Sequence, residues 1–371
     1  MRYTFFIFIL LVFIGMLSYV LIRGGQALSL SGIWKNVFII SSVVLFLSFF
    51  AGMIFGAQMP ALLGKNITFW GNSFLVVLIY LVFAFLATDV ILLSNKLFHF
   101  IKTDVIAFRF WTMMAGLLVI LVVMVIGNYK FNHPQTVHLN IISEKPHQQR
   151  KVKIVAVSDV HLGVSIDKQR LKQYVELINA QQPDMVLIGG DLIDRSIKPV
   201  VTQKMEEELK SIHAPMGIYA VFGNHEHFSE SKKLVKEFYQ KAGVHLLTDS
   251  VVLVNNQFYV AGRDDKINPA RKTLKDILNN IDTKKPVLLL DHQPSSLPEA
   301  EQNSVDLQFS GHTHNGQFFP GRWFVKQMFE LGYGYKKKGN THYYVSSGLG
   351  LWGPEYRIGT QSELVVIDFK Y

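Results

Sequence analysis

Polar side chains with metal-binding chemistry follow a series of short apolar runs in the C-terminal part of the sequence. Residues 152–157 lead into Ser158-Asp159-Val160-His161, 185–188 into Gly189-Gly190-Asp191, and 218–222 into Gly223-Asn224-His225-Glu226. Residues 287–290 lead into Asp291-His292, and 305–309 into Gly311-His312-Thr313-His314. Carboxylate, imidazole and amide oxygen are ligands for hard or borderline divalent cations. The set Asp159, His161, Asp191, Asn224, His292, His312 and His314, with His225 beside it, therefore suits Mn, Fe, Zn or Mg. Thiolate is excluded because the chain has no cysteine. Seven ligands exceed one tetrahedral site, and a carboxylate such as Asp191 can bridge two cations. Taken alone, FSGHTHNGQ at 309–317 also reads as a polar surface loop with two histidines.

These residues are far apart in sequence, so the fold has to gather them. In open α/β sheets the loops outside the carboxyl ends of the strands converge on one crevice. The five runs read as strands by their short, β-branched, apolar character, and amphipathic helical patterns lie at 168–180, 200–212, 229–242 and 269–281. That pattern predicts a layered α/β domain. His99, His133, His213 and His245 lack a strand-end position and read as surface or structural.

The first third of the chain has another character. Residues 4–22, 37–57, 73–93 and 110–127 are nearly unbroken Leu, Ile, Val, Phe, Ala and Met. Each is close to the roughly 20 residues that cross a bilayer as a helix. We expect four transmembrane helices within residues 1–130, a polar linker over 131–150 and a catalytic domain over 151–371. The first run exceeds the roughly 7–15 residues of a signal-peptide core. Asp89 is the one carboxylate in these runs, and it lies near a helix end, within reach of the headgroup region. Residues 1–130 carry +6 of the net +9, so the basic balance reports membrane flanks more than a nucleic-acid surface. Arg23, Lys35, Lys96, Lys102 and Arg109 fall in or beside the first and third loops, against Arg2, Lys65 and Lys130 on the other face. By the positive-inside rule the catalytic domain is then extracytoplasmic, on a multi-pass cell-membrane protein. Lys336-Lys337-Lys338 reads as a solvated loop.

The blocks DVHLG (159–163), GGDLID (189–194), GNHEH (223–227), DHQP (291–294) and GHTHNGQ (311–317) resemble, in order, those of the calcineurin-like metallophosphoesterases. The tail 345–367 is similar to the bacterial membrane-associated branch, whose relatives include UDP-2,3-diacylglucosamine hydrolases. The resemblance implies a four-layered α/β/β/α sandwich. It implies one metal held by Asp159, His161, Asp191 and His314 and a second held by Asp191, Asn224, His292 and His312, with Asp191 bridging. His225 matches the histidine that protonates the leaving oxygen or stabilises the transition state. An extended loop at 312–314 is expected to aim its two imidazoles apart, one at each metal. Arg357, in GPEYRIG, is a candidate clamp for a second substrate phosphate, with Arg195 and Arg263 as weaker ones.

The expectation is a membrane-anchored, two-metal phosphoesterase that hydrolyses a phosphodiester or pyrophosphate of a lipid or nucleotide-lipid by metal-activated water attack. The segment FFPGRWFVKQMF (318–329) fits either packing under the site or an apolar lip at the membrane surface. A non-catalytic sensor or scaffold keeping the fold is the alternative. A nuclease is disfavoured by the weak charge of the domain and by the lack of a basic stripe with interleaved aromatics. Sequence leaves the oligomeric state open.

Overall fold

The apolar runs of the first third form four helices, α1 (Arg2–Ala27), α2 (Gly32–Phe55), α3 (Ala61–Phe98) and α4 (Val105–Asn132). All four are long and apolar enough to cross a membrane. The computed structural model describes residues 2–145 and 150–371 and divides them into two units, Met1–Ile126 and Gly127–Tyr371. α3 has 38 residues and extends the expected 73–93 at both ends. At 1.5 Å per residue it is longer than the roughly 30 Å of a hydrocarbon core requires. Leu17, Val20, Phe46, Leu78 and Phe85 form the buried centre of this unit. Asp89 joins three helices: its Oδ2 accepts from Tyr19 at 2.7 Å and pairs with Arg23 at 2.7 Å, and its Oδ1 pairs with Arg109 at 3.1 Å.

The second unit contains twelve strands among the described residues: β1 (Gln135–Ile142), β2 (Lys151–Val157), β3 (Met185–Ile188), β4 (Ile218–Ala220), β5 (His245–Leu246), β6 (Ser250–Val254), β7 (Phe258–Gly262), β8 (Val287–Leu290), β9 (Leu307–Ser310), β10 (Gly334–Lys338), β11 (Thr341–Val345) and β12 (Glu363–Lys370). One sheet has the order β1-β12-β2-β3-β4-β5, the other β10-β11-β9-β8-β7-β6. β2 to β5 are parallel neighbours, as are β7, β8, β9 and β11. Successive residues in a strand face opposite sides of its sheet. Ile154 and Ala156 accordingly pack with Leu288, Leu290 and Phe309 between the sheets. Val155 and Val157 turn outward and share a core with Leu171, Tyr174 and Phe238 of the helices Lys168–Ala180 and Lys232–Lys241. On the far side, Leu289 and Tyr343 pack with Leu274 and Leu297 of the short helices Leu274–Leu278 and Leu297–Gln302. The result is the expected four-layered α/β/β/α arrangement.

Four local expectations differ from the structure. The first is Lys336-Lys337-Lys338, expected as a solvated loop, which instead lies in β10, pairs with β11 and has its amines on Glu330 and Glu144. The helical pattern at 200–212 is two short helices, Lys198–Thr202 and Glu206–Lys210, separated where Lys204 takes a φ of 52°. The pattern at 269–281 contracts to Leu274–Leu278. The linker expected over 131–150 contains β1, which pairs in parallel with β12 from Gln135 against Glu363 to Ile142 against Lys370. Val137, Leu139 and Ile141 alternate along β1 and pack into the inter-sheet core. Residues 146–149 of that stretch lie outside the described residues.

Candidate metal centre

The chain leaves β2, β3 and β9 through residues of left-handed backbone. Asp159, His161, Asp191, His312 and His314 have φ of 52°, 55°, 50°, 72° and 48°. Non-glycine residues seldom occupy this region, and each such conformation costs about 1–3 kcal/mol unless its surroundings enforce it. Here hydrogen bonds enforce it. The Asp159 carboxylate accepts from the His312 amide at 3.0 and 3.1 Å, and Asp191 Oδ1 accepts from the His225 amide at 2.8 Å. The buried carboxylate of Glu226 accepts from the amides of Gly223 at 2.8 Å, Asp191 at 3.2 Å and Ile193 at 2.9 Å, and from the Tyr239 hydroxyl at 3.1 Å. Two glycines in the motifs are there for close approach. A Cβ at Gly223 would stand 2.1 Å from Asp191 Oδ1, and one at Gly311 would stand 2.2 Å from Asp159 Oδ2.

This backbone gathers the expected side chains into two adjoining groups. Ligand atoms of Asp159, His161 and His314 lie within 4.8 Å of one another, as do those of Asp191, His292 and His312. In the first group, His314 Nε2 is 3.2 Å from His161 Nε2 and 3.4 Å from Asp159 Oδ1. In the second, the Asn224 side-chain oxygen accepts from His312 Nδ1 at 2.8 Å. Asp191 Oδ2 stands between them, 3.8 Å from His161 Nε2 and 3.2 Å from His292 Nε2. The His312–His314 divergence does not come from an extended loop. Residues i and i+2 of an extended chain share one face, whereas here Thr313 is right-handed helical between two left-handed histidines. The turn, not the strand periodicity, separates the rings.

The donor set fits divalent cations. His292 Nε2 is buried without a hydrogen bond while His292 Nδ1 is oriented by the Gly189 carbonyl at 2.8 Å. A ring held through one nitrogen with the other left for a cation is the usual arrangement of a metal-bound histidine. Burial would raise the Asp191 carboxyl, but His292, His225 and His161 outweigh it and hold Asp191 well below the usual carboxylate range. Burial, then His161 and Arg357, keep His314 neutral, and burial with His292 does the same for His312. Neutral imidazoles at His312 and His314 and an ionised Asp191 are protonation states that metal ligation needs. His292 departs from this: burial works against its imidazolium, but the Asp191 charge outweighs it and raises the His292 pKa well above the usual range, so a cation there would have to displace that proton.

His225 also comes within 4.8 Å of His161 and Asp191. Its Nδ1 is engaged by Asp194 Oδ1 at 2.7 Å. Burial works against the imidazolium, but the Asp194 bond and the Asp191 charge outweigh it and raise the His225 pKa. Arg357 is not at the surface of the site. It is fully buried, with Nε donating to Ser362 Oγ and the terminal nitrogens to the carbonyls of His314, Gly348 and Gly350. Its guanidinium braces the metal-ligand turn from behind, so no free fork remains for a substrate phosphate. Arg263 is likewise committed, to Glu299 at 2.6 Å. Arg195 remains exposed, 5.7 Å from the Trp352 ring, which itself lies edge-on to His225. Asp194 and Glu226 had no role in the sequence reading, although both sit inside quoted motifs.

Residues 152–316 match the calcineurin-like phosphoesterase family. The chain is 32% identical over 252 residues to an uncharacterized metallophosphoesterase of Aquifex aeolicus, covering 65% of this chain and 95% of that one. It is 33% identical over 237 residues to an uncharacterized metallophosphoesterase of Campylobacter jejuni, covering 61% of each. It is 30% identical over 254 residues to a Danio rerio transmembrane protein with metallophosphoesterase domain, covering 64% of this chain and 57% of that one. The chain spans less than two thirds of the last two relatives. The protein belongs to the calcineurin-like metallophosphoesterase family, and its four apolar helices make it a membrane protein.

Proposed function

We propose that the protein is a membrane-anchored hydrolase of phosphodiester or pyrophosphate bonds that works with two divalent cations, and that its substrate is a lipid or nucleotide-linked lipid. The carrying observation is Asp191 Oδ2, placed between two groups of ligand side chains at 3.8 Å from His161 and 3.2 Å from His292. Asp159, His161, Asp191 and His314 would hold one cation; Asp191, Asn224, His292 and His312 would hold the other. When bound, such a pair supplies Lewis acidity toward phosphoryl oxygens and makes water a nucleophile near neutral pH. His225 keeps one ring proton on Asp194 through Nδ1, so the proton at Nε2 is the one available to the leaving oxygen. Asp194 fixes the ring tautomer, and Glu226 holds the loops of Asp191 and Asn224 at their spacing. Arg195 is the exposed cation for the rest of a phosphorylated substrate. The lipid assignment is supported by the four spans that precede the catalytic unit in the same chain.

Asp191→Ala tests the centre. Metal analysis of the purified protein should show both cations lost, and hydrolysis of a chromogenic diester and of a lipid phosphodiester should fall together. Metal-free wild type with activity that survives the substitution would overturn the reading.

A further inference from the structure

The helix Gly321–Met328 follows the metal-ligand turn directly, and no residue of it is buried. Its outward side chains are large and apolar: Trp323 is 60% exposed, Phe324 54% and Met328 74%, and Phe319 just before it is 65% exposed. Few elsewhere in the second unit are as exposed, and none of the others described is in so dense a run. Arg322 and Lys326 are exposed on the same helix, and residues 311–329 contain no Asp or Glu. A short helix with aromatic residues beside cations, and no acids, matches the chemistry of an anionic lipid surface: the rings enter the boundary region while the cations meet the phosphates. An ordinary solvated helix would carry mixed charge over this length, and a helix seated on the core would bury its aromatics.

The helix is also joined to the site. A Cβ on Gly316 would stand 2.2 Å from the Arg322 amide, so turn and helix are in backbone contact. Thr313 Oγ1 donates to the Gly332 carbonyl at 2.6 Å, and the Phe329 ring stands edge-on to His312. Gln317 Nε2 donates to the carbonyls of Trp352, at 2.9 Å, and Pro354, at 3.1 Å, tying the same turn to the loop that carries the Trp352 ring beside His225.

We propose that Phe319 and the helix Gly321–Met328 form an interfacial element that inserts into an anionic bilayer surface and so presents the metal-ligand turn to lipid headgroups. It rests on the membrane character of the chain and deepens the lipid-substrate reading, but it does not require catalysis. The absence of native cysteine makes a direct test available. Full-length Phe324→Cys and, as a water-facing reference on the helix Lys232–Lys241, Lys233→Cys are each labelled with a nitroxide and reconstituted in nanodiscs. The discs are made of phosphatidylcholine alone or with about one third phosphatidylglycerol. In the anionic discs the label at 324 should relax more strongly with oxygen than with a water-soluble nickel chelate, and the label at 233 should show the reverse. In phosphatidylcholine alone the oxygen preference at 324 should fall several-fold. A water-like label at 324 in both lipids overturns the insertion. Shielding from both relaxants overturns it in favour of a protein partner, and insertion that ignores lipid charge overturns the role of Arg322 and Lys326. A second variant, Trp323→Ser with Phe324→Ser, should raise KM about tenfold or more for a phospholipid diester in anionic vesicles while leaving hydrolysis of a soluble chromogenic diester unchanged. Equal loss on both substrates would overturn the headgroup-presenting role. No hydrolysis by the wild type would instead defeat the catalytic reading and leave the labelling result to decide the insertion.

Discussion

His225 is paired through Nδ1 with Asp194, and the role proposed for it, proton delivery and not metal holding, can be tested at single side chains. His225→Ala should keep its metal content and lose about 10²–10⁴-fold in rate, the usual contribution of a positioned acid or base. Asp194→Asn leaves the imidazole present but loosely held, and a loss of about 10–100-fold in kcat with little change in KM is expected. A His225→Ala protein that lost both metals would return this histidine to the ligand set. Glu226 acts on the backbone instead of the substrate. Glu226→Ala leaves three amides and the Tyr239 hydroxyl without their acceptor. It should destabilise the second unit by about 3 kcal/mol or more, against about 1 kcal/mol for Tyr239→Phe, measured by thermal unfolding in detergent. Equal effects would mean that the amides find other partners. The seven candidate ligands were readable because they follow short apolar runs. Asp194 and Glu226 were not, because their partners come from other strands and a carboxylate's role is set by what it faces. Arg357 was misread for the same reason: a guanidinium between glycines looks available until the carbonyls of His314, Gly348 and Gly350 are seen to surround it.

At the scale of elements, the five strands that carry the site were recognisable from their apolar, β-branched residues, since a parallel strand covered on both faces reads as a continuous run. The strands that carry no site residue were harder to see. β6 and β7 form a hairpin through Asn255 and Asn256, both left-handed, at φ of 46° and 59°, which the Asn-Asn pair permits. The sequence of β1 resembles that of a linker because its alternate residues are polar or exposed and its partner lies at the far end of the unit. Its contribution is testable at neighbouring positions. Ile141 is fully buried between the sheets, while Ile142 is 51% exposed. Ile141→Ala should cost about 2–5 kcal/mol through the lost burial and the cavity it leaves, and Ile142→Ala should stay within about 0.5 kcal/mol. Similar unfolding midpoints for the two variants would return this stretch to the status of a linker.

For the whole molecule, sidedness sets which substrates the catalytic unit can meet. Basic residues near the ends of spans resist translocation, and Arg23, Lys35, Lys96, Lys102 and Arg109, of which Arg23 and Arg109 pair with Asp89, outnumber Arg2, Lys65 and Lys130. The expected topology puts residues 131–371 outside the cytoplasm, which among the proposed substrates favours an exported lipid, whereas a cytoplasmic domain would favour the nucleotide-linked lipid. A C-terminal alkaline phosphatase fusion should therefore be active and a C-terminal green fluorescent protein fusion dark; a bright fluorescent fusion with an inactive phosphatase would place the unit inside.

The parallel pairing of β1 with β12 bears on when the catalytic unit can fold. β1 follows α4, yet among the described residues its strand neighbour is β12, more than 200 residues later, and that strand also stands between β1 and β2. While a ribosome is still making the chain, both flanks of this gap are unpaired, and a sheet edge left open is a site for wrong pairing. Closure must wait for Glu363–Lys370 to emerge. A nascent chain stalled before β12 should thus be a target for chaperones and proteases, whereas one being exported would stay threadable until β12 had crossed.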